Sequence, residues 1–177
     1  ARAARYKAFA DAGCGIVALA HNRDDQAETV LLQLLRGAGP RGLAAMPAFR
    51  GAARCSPAIL RPLLDVPRGM IEAYSRRHNL QWVEDDSNDD RAFLRNFLRH
   101  DVLPMLEMRV PGAGGTLARA ARLQAEASDL LDALALIALG GVPPSQSLPL
   151  EPLKTLAPHR ARNALRYFLR SNALQMP

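Results

Sequence analysis

The segment that decides the fold reads CGIVALA followed by HNRDDQAET, and it runs from Cys14 to Thr29. Its first seven residues form a short, continuous apolar run, which is typical of a buried parallel strand. Polar residues follow, and apolar residues then return at helical spacing from Asp25 to Arg36, where Gly37 stops the pattern. A strand, a polar loop and a helix in this order predict part of an α/β fold.

The polar loop is a candidate site because ligands bind at the carboxyl ends of strands in open α/β sheets. On the following helix Asp25, Glu28 and Thr29 are three and four residues apart and share one face. Two carboxylates with Asp24 beside them suit Mg²⁺ or an ammonium group, and His21 suits proton transfer or a phosphate. The alternative is structural, because acidic residues stabilise a helix start and Asp24 is a good N-cap.

The rest of the chain is predicted to be mostly helical. We expect helices at Arg2–Ala12, Arg68–His78, Ala92–Val102, about 116–139 and Pro158–Asn172, and short strands at Ala58–Arg61 and Leu80–Glu84. The back half has no strand of comparable strength. The predicted fold class is therefore α/β, a parallel sheet with flanking helices, followed by a mainly helical region.

The chain is basic, with a net charge of +6, and its basic residues are nearly all arginine. Of the 23 lysine and arginine residues, only Lys7 and Lys154 are lysine. Arginine matches phosphate oxygens, so a nucleotide or nucleic acid is a natural partner, although a GC-rich coding bias also explains the choice. Three groups stand out: Arg36 beside the glycine turn 37–42, Arg91 with Arg95 and Arg99, and Arg162 with Arg166 and Arg170. The alternatives are a helix C-cap for the first group and solvated helix faces for the others, the second paired with the acidic turn 84–90.

The two cysteines, Cys14 and Cys55, form no CxxC pair and are too few for a disulfide scaffold. We therefore expect two reduced thiols in a cytoplasmic protein. No apolar run is long enough for a membrane span, and the basic start lacks the apolar stretch of a secretory signal.

Residues His21 to Thr29 resemble the H-x-x-D-D-Q-x-E-T signature of the PP-loop ATP pyrophosphatases that modify tRNA. Further segments follow in the order and rough spacing of the tRNA(Ile)-lysidine synthetase family: Leu35–Gly39, Gly42–Leu43, Arg61–Leu64, Trp82–Asn88, Arg95–His100 and Leu103–Pro104. The resemblance runs from about Arg2 to Leu106 and continues weakly to the end. Each segment alone is modest, but their ordered set is specific.

This resemblance implies a ligase reaction. ATP would adenylate C2 of the wobble cytidine in tRNA(Ile) with a CAU anticodon, and the ε-amine of L-lysine would then displace AMP to give lysidine. ATP and Mg²⁺ are the implied cofactors, and the resemblance is compatible with a homodimer. It divides the chain into the C-terminal part of the catalytic domain (1–104), a helical region that contacts substrate (105–142) and the start of a helical tRNA-binding domain (143–177).

The resemblance also assigns roles to individual residues. The implied catalytic residues are His21, Asp24, Asp25, Glu28 and Arg95, and Asp25 is also the implied metal ligand. The implied nucleotide contacts are Thr29, Arg36 and Gly37. The implied tRNA contacts are Arg61, Asn96, Arg99, Arg162 and Arg166.

The sequence departs from the family because the S-G-G-x-D-S loop, which cradles the pyrophosphate of ATP, is absent before Cys14. We therefore expect residues 1–177 alone neither to hydrolyse ATP nor to bind it tightly, and micromolar binding in a calorimeter would contradict this. Two other functions stay open. One is a tRNA thiolase of the same superfamily, although thiolases that use iron–sulfur chemistry carry clustered cysteines. The other is a non-catalytic basic RNA-binding module.

Overall fold

The computed structural model describes residues 2–52, 57–83, 90–141, 147–148 and 150–172. The chain divides into two compact units, Ala1–Leu123 and Gln124–Pro177. Cys55 and positions 84–89 of the acidic turn lie outside the described residues.

The order of elements confirms an α/β region followed by a helical region. The elements are α1 (Arg2–Asp11), β1 (Ile16–Ala18), α2 (Arg23–Leu35), α3 (Pro40–Leu43), β2 (Phe49–Arg50), β3 (Ala58–Leu60), α4 (Arg68–Arg77), α5 (Leu94–Phe97), a π-helical segment (Leu98–Val102), α6 (Leu103–Arg109), α7 (Ala113–Ala138), α8 (Leu150–Thr155) and α9 (Pro158–Ser171).

The sheet of the first unit is mixed, whereas the prediction was a parallel sheet. Its order is β1-β3-β2, with β1 parallel and β2 antiparallel to β3. The parallel register pairs Val17 with Ile59, and the N–H of Leu19 continues the ladder by donating to Leu60 O at 2.8 Å. The two-residue strand β2 carries no alternating pattern of its own, so the sequence held no signal for it.

The predicted burial of the first strand is wrong, although its pairing is parallel as expected. β1 lies at an edge of the described sheet, and Ile16 is 60% exposed. The buried strand is β3, where Ile59 is fully enclosed. The apolar run indicates that this segment favours burial, whereas its actual burial depends on which strands pair with β1 on either side.

A predicted strand at Leu80–Glu84 is also wrong for its described residues, because 80–83 form no strand. These residues instead follow a turn that caps the C-terminus of α4. Asn79 has the left-handed backbone angle φ of 50°, and the N–H of Leu80 donates to Ser75 O at 2.9 Å. This turn uses the N–H of Leu80 at the C-terminus of α4.

The helix predicted at Ala92–Val102 begins later and continues further. It starts with α5, widens into the π-helical segment and runs on as α6 to Arg109. The N–H of Leu103 donates to Leu98 O, five residues back, and Pro104 follows with no N–H to donate. The widened turn lies directly before Pro104, and the helix continues past this proline.

The second unit is helical. Within it Arg170 of α9 pairs with Asp132 of α7, and Asn163 donates to Leu131 O at 2.6 Å. Ala135 of α7 and Ala164 of α9 are both buried. No helix within the described residues is long and apolar enough to cross a bilayer.

Candidate active site at the start of α2

The start of α2 is held by a capping box made by Asn22 and Asp25. The side-chain oxygen of Asn22 accepts from the backbone N–H of Asp24 at 2.9 Å and of Asp25 at 3.1 Å. Asp25 Oδ2 accepts in return from the N–H of Asn22 at 2.9 Å. The predicted N-cap, Asp24, is therefore wrong, because Asn22 has the extended backbone that this position needs. The box orients Asp25 and leaves the side chain of Asp24 for another partner.

Asp24 connects the start of α2 to the start of α4. Its Oδ2 accepts from the N–H of Arg68, the first residue of α4, at 2.7 Å. One residue earlier, the N–H of Arg23 donates to Val66 O at 3.0 Å. Two helix N-termini are thus held together by one short polar segment.

Four charged side chains from distant parts of the chain meet at this place. Glu28 accepts from Arg95 Nε at 2.7 Å and from Arg99 Nε at 2.6 Å. Asp25 Oδ1 accepts from Arg95 Nη2 at 3.1 Å and from Arg99 Nη2 at 3.0 Å. Each guanidinium therefore bridges both carboxylates, which is strong, directional pairing. The structure brings together four predicted site residues.

The burial of this network is uneven. The side chain of Glu28 is fully buried, whereas the side chains of Arg95 and Arg99 are 42% and 22% exposed. Burial by itself lowers the pKa of Arg99, but the hydrogen bond and charge of Glu28 and the charge of Asp25 outweigh it and raise the pKa. Arg99 is therefore a permanent cation, and it neutralises a carboxylate that has no contact with water.

The arginines after the acidic turn were expected either to bind phosphate or to pair with that turn. Among the described residues, Arg95 and Arg99 pair with carboxylates of α2, and Arg91 pairs with Asp101 at 2.7 Å. Positions 84–89 of the turn lie outside the described residues, so pairing with them stays a prediction. The π-helical segment carries Arg99, and π-helical turns often occur at functional sites.

The predicted metal ligand Asp25 has both carboxylate oxygens occupied in this arrangement. Oδ1 accepts from two arginines and Oδ2 from the capping N–H. Across the described ranges, no three His, Cys, Asp or Glu side chains are grouped so that they could hold a metal ion. The residues as arranged do not fit Mg²⁺, and its coordination by Asp25 stays a prediction.

The other residues predicted around α2 lie before it, within it and after it. His21 is half-buried just before the cap, and Thr29 Oγ1 donates back to Asp25 O at 2.7 Å. Arg36 is the exposed C-cap, and Gly37 follows with a φ of 68°, a left-handed angle that favours glycine. Arg36 and Gly37 lie about 20 Å along the helix from its start, so they form a separate place.

The remaining predicted tRNA contacts differ in exposure. Asn96 is buried and donates to Asp90 O at 2.9 Å. Arg61 is only 6% exposed, and its Nη1 donates to Pro47 O at 2.7 Å. The guanidinium of Arg61 is directed into the protein, so direct contact with RNA is not supported. Arg162 and Arg166 are exposed on α9 in the second unit.

Sequence reasoning gave Gln26 no role, although it lies inside the quoted motif. Gln26 is buried, and its amide pairs with both backbone groups of Met46, donating to the carbonyl at 2.7 Å and accepting from the N–H at 3.0 Å. Gln26 and Arg61 together hold the segment that follows α3. One sequence signal could have indicated that Gln26 is buried: its uncharged amide lies close to Ala27 and Val30, which are also buried.

A cleft of about 420 Å³ opens beside this network. Its lining comes from α2, α4, the π-helical segment, α6 and the start of α7, and the charged or basic members are Arg23, Arg68, Arg99 and His100 with Asp24, Glu28, Glu72 and Glu107. Side chains of both signs face the same space. Such a lining favours a ligand that carries both positive and negative groups.

Glu107 holds the start of α7. Its carboxylate accepts from the N–H of Gly112 at 2.8 Å and of Gly114 at 3.2 Å. The hydrogen bond from Gly112 and then that from Gly114 lower the pKa of Glu107 below its ordinary value of 4.5.

Because this pKa is lower in the folded chain, the stabilisation by Glu107 is complete above about pH 4.5 and is lost as pH falls through the lower folded value. We expect Glu107→Gln to lower the melting temperature near pH 7 and to differ little from the unmodified chain at the acid end. Thermal melts of both proteins between pH 3 and pH 7, roughly the span of this titration, measure the effect. A constant difference across that range would contradict it.

Comparison with known families identifies the family to which this fold belongs. Residues 1–106 match the family model described as the PP-loop domain. This match spans more than half of the chain, so the chain belongs to the PP-loop family. Residues 148–177 match the model described as the TilS substrate binding domain.

The relatives narrow the comparison to one kind of enzyme. The chain is 46% identical over its whole length to the tRNA(Ile)-lysidine synthase of Nitrosomonas europaea. It is 52% identical over 76% of its length to that of Chromobacterium violaceum and 50% identical over 96% to that of Pseudomonas aeruginosa. The resemblance found in the motifs is confirmed. The chain spans 39%, 31% and 41% of these three relatives.

A solved structure supports the fold. The U34-tRNA thiolase NcsA from Methanococcus maripaludis with its [4Fe-4S] cluster matches 70% of this chain and 42% of its own, with a TM-score of 0.53. Sequence identity is 19%, so the likeness concerns the fold alone.

Proposed function

We propose that this chain acts in tRNA modification, as the ligase that joins L-lysine to C2 of the wobble cytidine of tRNA(Ile) with a CAU anticodon. The observation that carries the proposal is the pairing of Asp25 and the buried Glu28 with Arg95 and Arg99. This network unites two of the motifs on which the resemblance rests. The relatives named tRNA(Ile)-lysidine synthase and the substrate-binding match at the C-terminus support the same reaction.

Membership of the PP-loop family implies ATP use. In the proposed reaction the C2 oxygen of cytidine takes AMP from ATP and releases pyrophosphate. The lysine ε-amine then forms a bond to C2, and AMP leaves with the oxygen. Thr29, Arg36 and Gly37 are the residues that we assign to nucleotide contact.

The lysine amine is the group that the site must manage, because its pKa of about 10.4 keeps it protonated near neutral pH. Asp25 and Glu28 can bind this ammonium if Arg95, the more exposed arginine, moves aside while Arg99 stays. His21, at the carboxyl end of β1, is the group that we assign to removal of its proton. Asp24 keeps the two helix starts together and so maintains the geometry.

The mixed lining of the neighbouring cleft supports an amino-acid substrate. A lysine carries one carboxylate and two ammonium groups, and the cleft offers arginines and carboxylates within one space. Arg162 and Arg166 on α9 are exposed, and we assign them to phosphates of the tRNA.

Incorporation of labelled L-lysine into tRNA tests the proposal. With the full-length protein, we expect ATP-dependent labelling of tRNA(Ile) with a CAU anticodon. Two control tRNAs should not be labelled: tRNA(Met), which has the same anticodon but a different sequence elsewhere, and tRNA(Ile) with a GAU anticodon. Sulfur transfer to the tRNA would instead support the thiolase. RNA binding that ignores the anticodon and produces no lysidine would support the non-catalytic module.

A further inference from the structure

One helix next to the candidate site carries an aromatic surface. In α4 the ring of Tyr74 stacks on His78 one turn later, with centroids 4.2 Å apart and an angle of 35° between the ring planes. Tyr74 is 59% exposed, and Met70, one turn earlier, is 64% exposed. Met70, Tyr74, Arg77 and His78 form one stripe at helical spacing, which we name the α4 stripe.

The charge of α4 indicates what this stripe can bind. The helix holds three arginines and one glutamate, and Glu72 pairs with Arg68 at 2.8 Å and with Arg76 at 3.3 Å. Arg77 lies on the α4 stripe instead of in this row, and it is exposed. An exposed ring pair beside an exposed guanidinium suits an anionic partner that also has flat faces.

Unpaired nucleotides have this combination of properties. Bases stack on aromatic side chains, and their phosphates bind arginine, whereas paired bases offer no free face. A protein partner would pack on the apolar part of the stripe, but only an acidic protein would also pair with Arg77. The α4 stripe also belongs to a helix whose first residue is held by Asp24 of the candidate site.

We propose that the α4 stripe is a stacking surface for unpaired nucleotides of the tRNA that flank the base held at the candidate site. An unpaired base extends the Tyr74–His78 stack, and Arg77 contacts its phosphate. This inference rests on the proposed function, because it takes tRNA as the substrate. Neither the family match nor the sequence motifs assign α4 any contact with RNA.

The test compares two RNA probes with the full-length protein: an anticodon stem-loop with a CAU anticodon, and a fully paired duplex of equal charge. We expect Tyr74→Leu to weaken stem-loop binding about fivefold or more, and Tyr74→Phe, which keeps the ring, to change it less than about twofold. Neither variant should change duplex binding. Because Tyr74 is exposed, both variants should fold, and circular dichroism melts check this.

Arg77→Gln separates the electrostatic part. It should reduce the slope of log affinity against log salt concentration for the stem-loop by about the amount of one phosphate contact. Arg109→Gln, a control at an exposed position on α6, should leave this slope unchanged. Equal loss for Tyr74→Leu and Tyr74→Phe, or no loss for either, would overturn the inference, as would self-association through the stripe. Lysidine formation by the unmodified protein reports the proposed function independently, so the two can fail separately.

Discussion

Replacing Glu28 by glutamine abolishes most lysidine formation and destabilises the first unit: this is the largest effect that we expect. The substitution keeps the shape and removes one buried negative charge that two guanidinium groups share. Removing one partner of a buried pair costs about 3–5 kcal/mol, and the partial exposure of both arginines reduces this to about 2–3 kcal/mol. Activity should fall about 100-fold or more, because Arg95 and Arg99 lose the group that positions them.

Denaturant unfolding and labelled-lysine incorporation measure the two effects of Glu28→Gln. The matched control is Glu126→Gln, the same change at an exposed position on α7, which should leave both unchanged. A double-mutant cycle with Arg99→Gln should show coupling, because both changes remove the same Glu28–Arg99 ion pair. Additive effects on stability, or a fully active Glu28→Gln protein, would contradict the network as the basis of the site.

Arg61→Met is expected to lower stability without changing the tRNA affinity of the folded protein. The guanidinium is buried and donates to Pro47 O, and a hydrogen bond from a charged group contributes about 1.5–3 kcal/mol. For a chain of this size the melting temperature should fall by about 5 °C or more. Methionine fills part of the same volume, so the lost hydrogen bond dominates the effect.

Arg162→Met is the matched control for Arg61→Met, and the opposite result is expected. Arg162 is exposed on α9, so its loss should leave the melting temperature unchanged and weaken tRNA binding in a salt-dependent way. Calorimetry and filter binding on both variants give the comparison. A stable Arg61→Met protein with weakened tRNA binding would restore the original expectation that Arg61 contacts tRNA.

Local chemistry explains what could be predicted. The helix at α2 follows from the spacing of its apolar residues, and α4 follows from a similar pattern. The candidate site was predicted at His21–Thr29 because a polar loop follows an apolar run directly. The misassigned N-cap shows the limit of such reasoning: Asn22 and Asp24 are both good caps, and only the backbone angles decide between them.

Non-local contacts explain what could not be predicted. Arg95 and Arg99 bind Glu28 across 67 and 71 residues of sequence, and Arg99 lies in the π-helical segment. Arg61 and Arg162 are the same residue type, yet one is buried and the other is exposed. Composition carries no information on this difference.

The sequence by itself determined the α/β class and the family, and it predicted a candidate site at His21–Thr29. Periodicity and motif order are properties of the chain, so they are readable before folding. Only the tertiary structure decided which charges meet, because pairing between Glu28 and its arginines depends on bringing α2 against α5 and the π-helical segment. The result is a carboxylate pair that is already neutralised by two arginines. Short sequence motifs do not show which charged residues pair in this way.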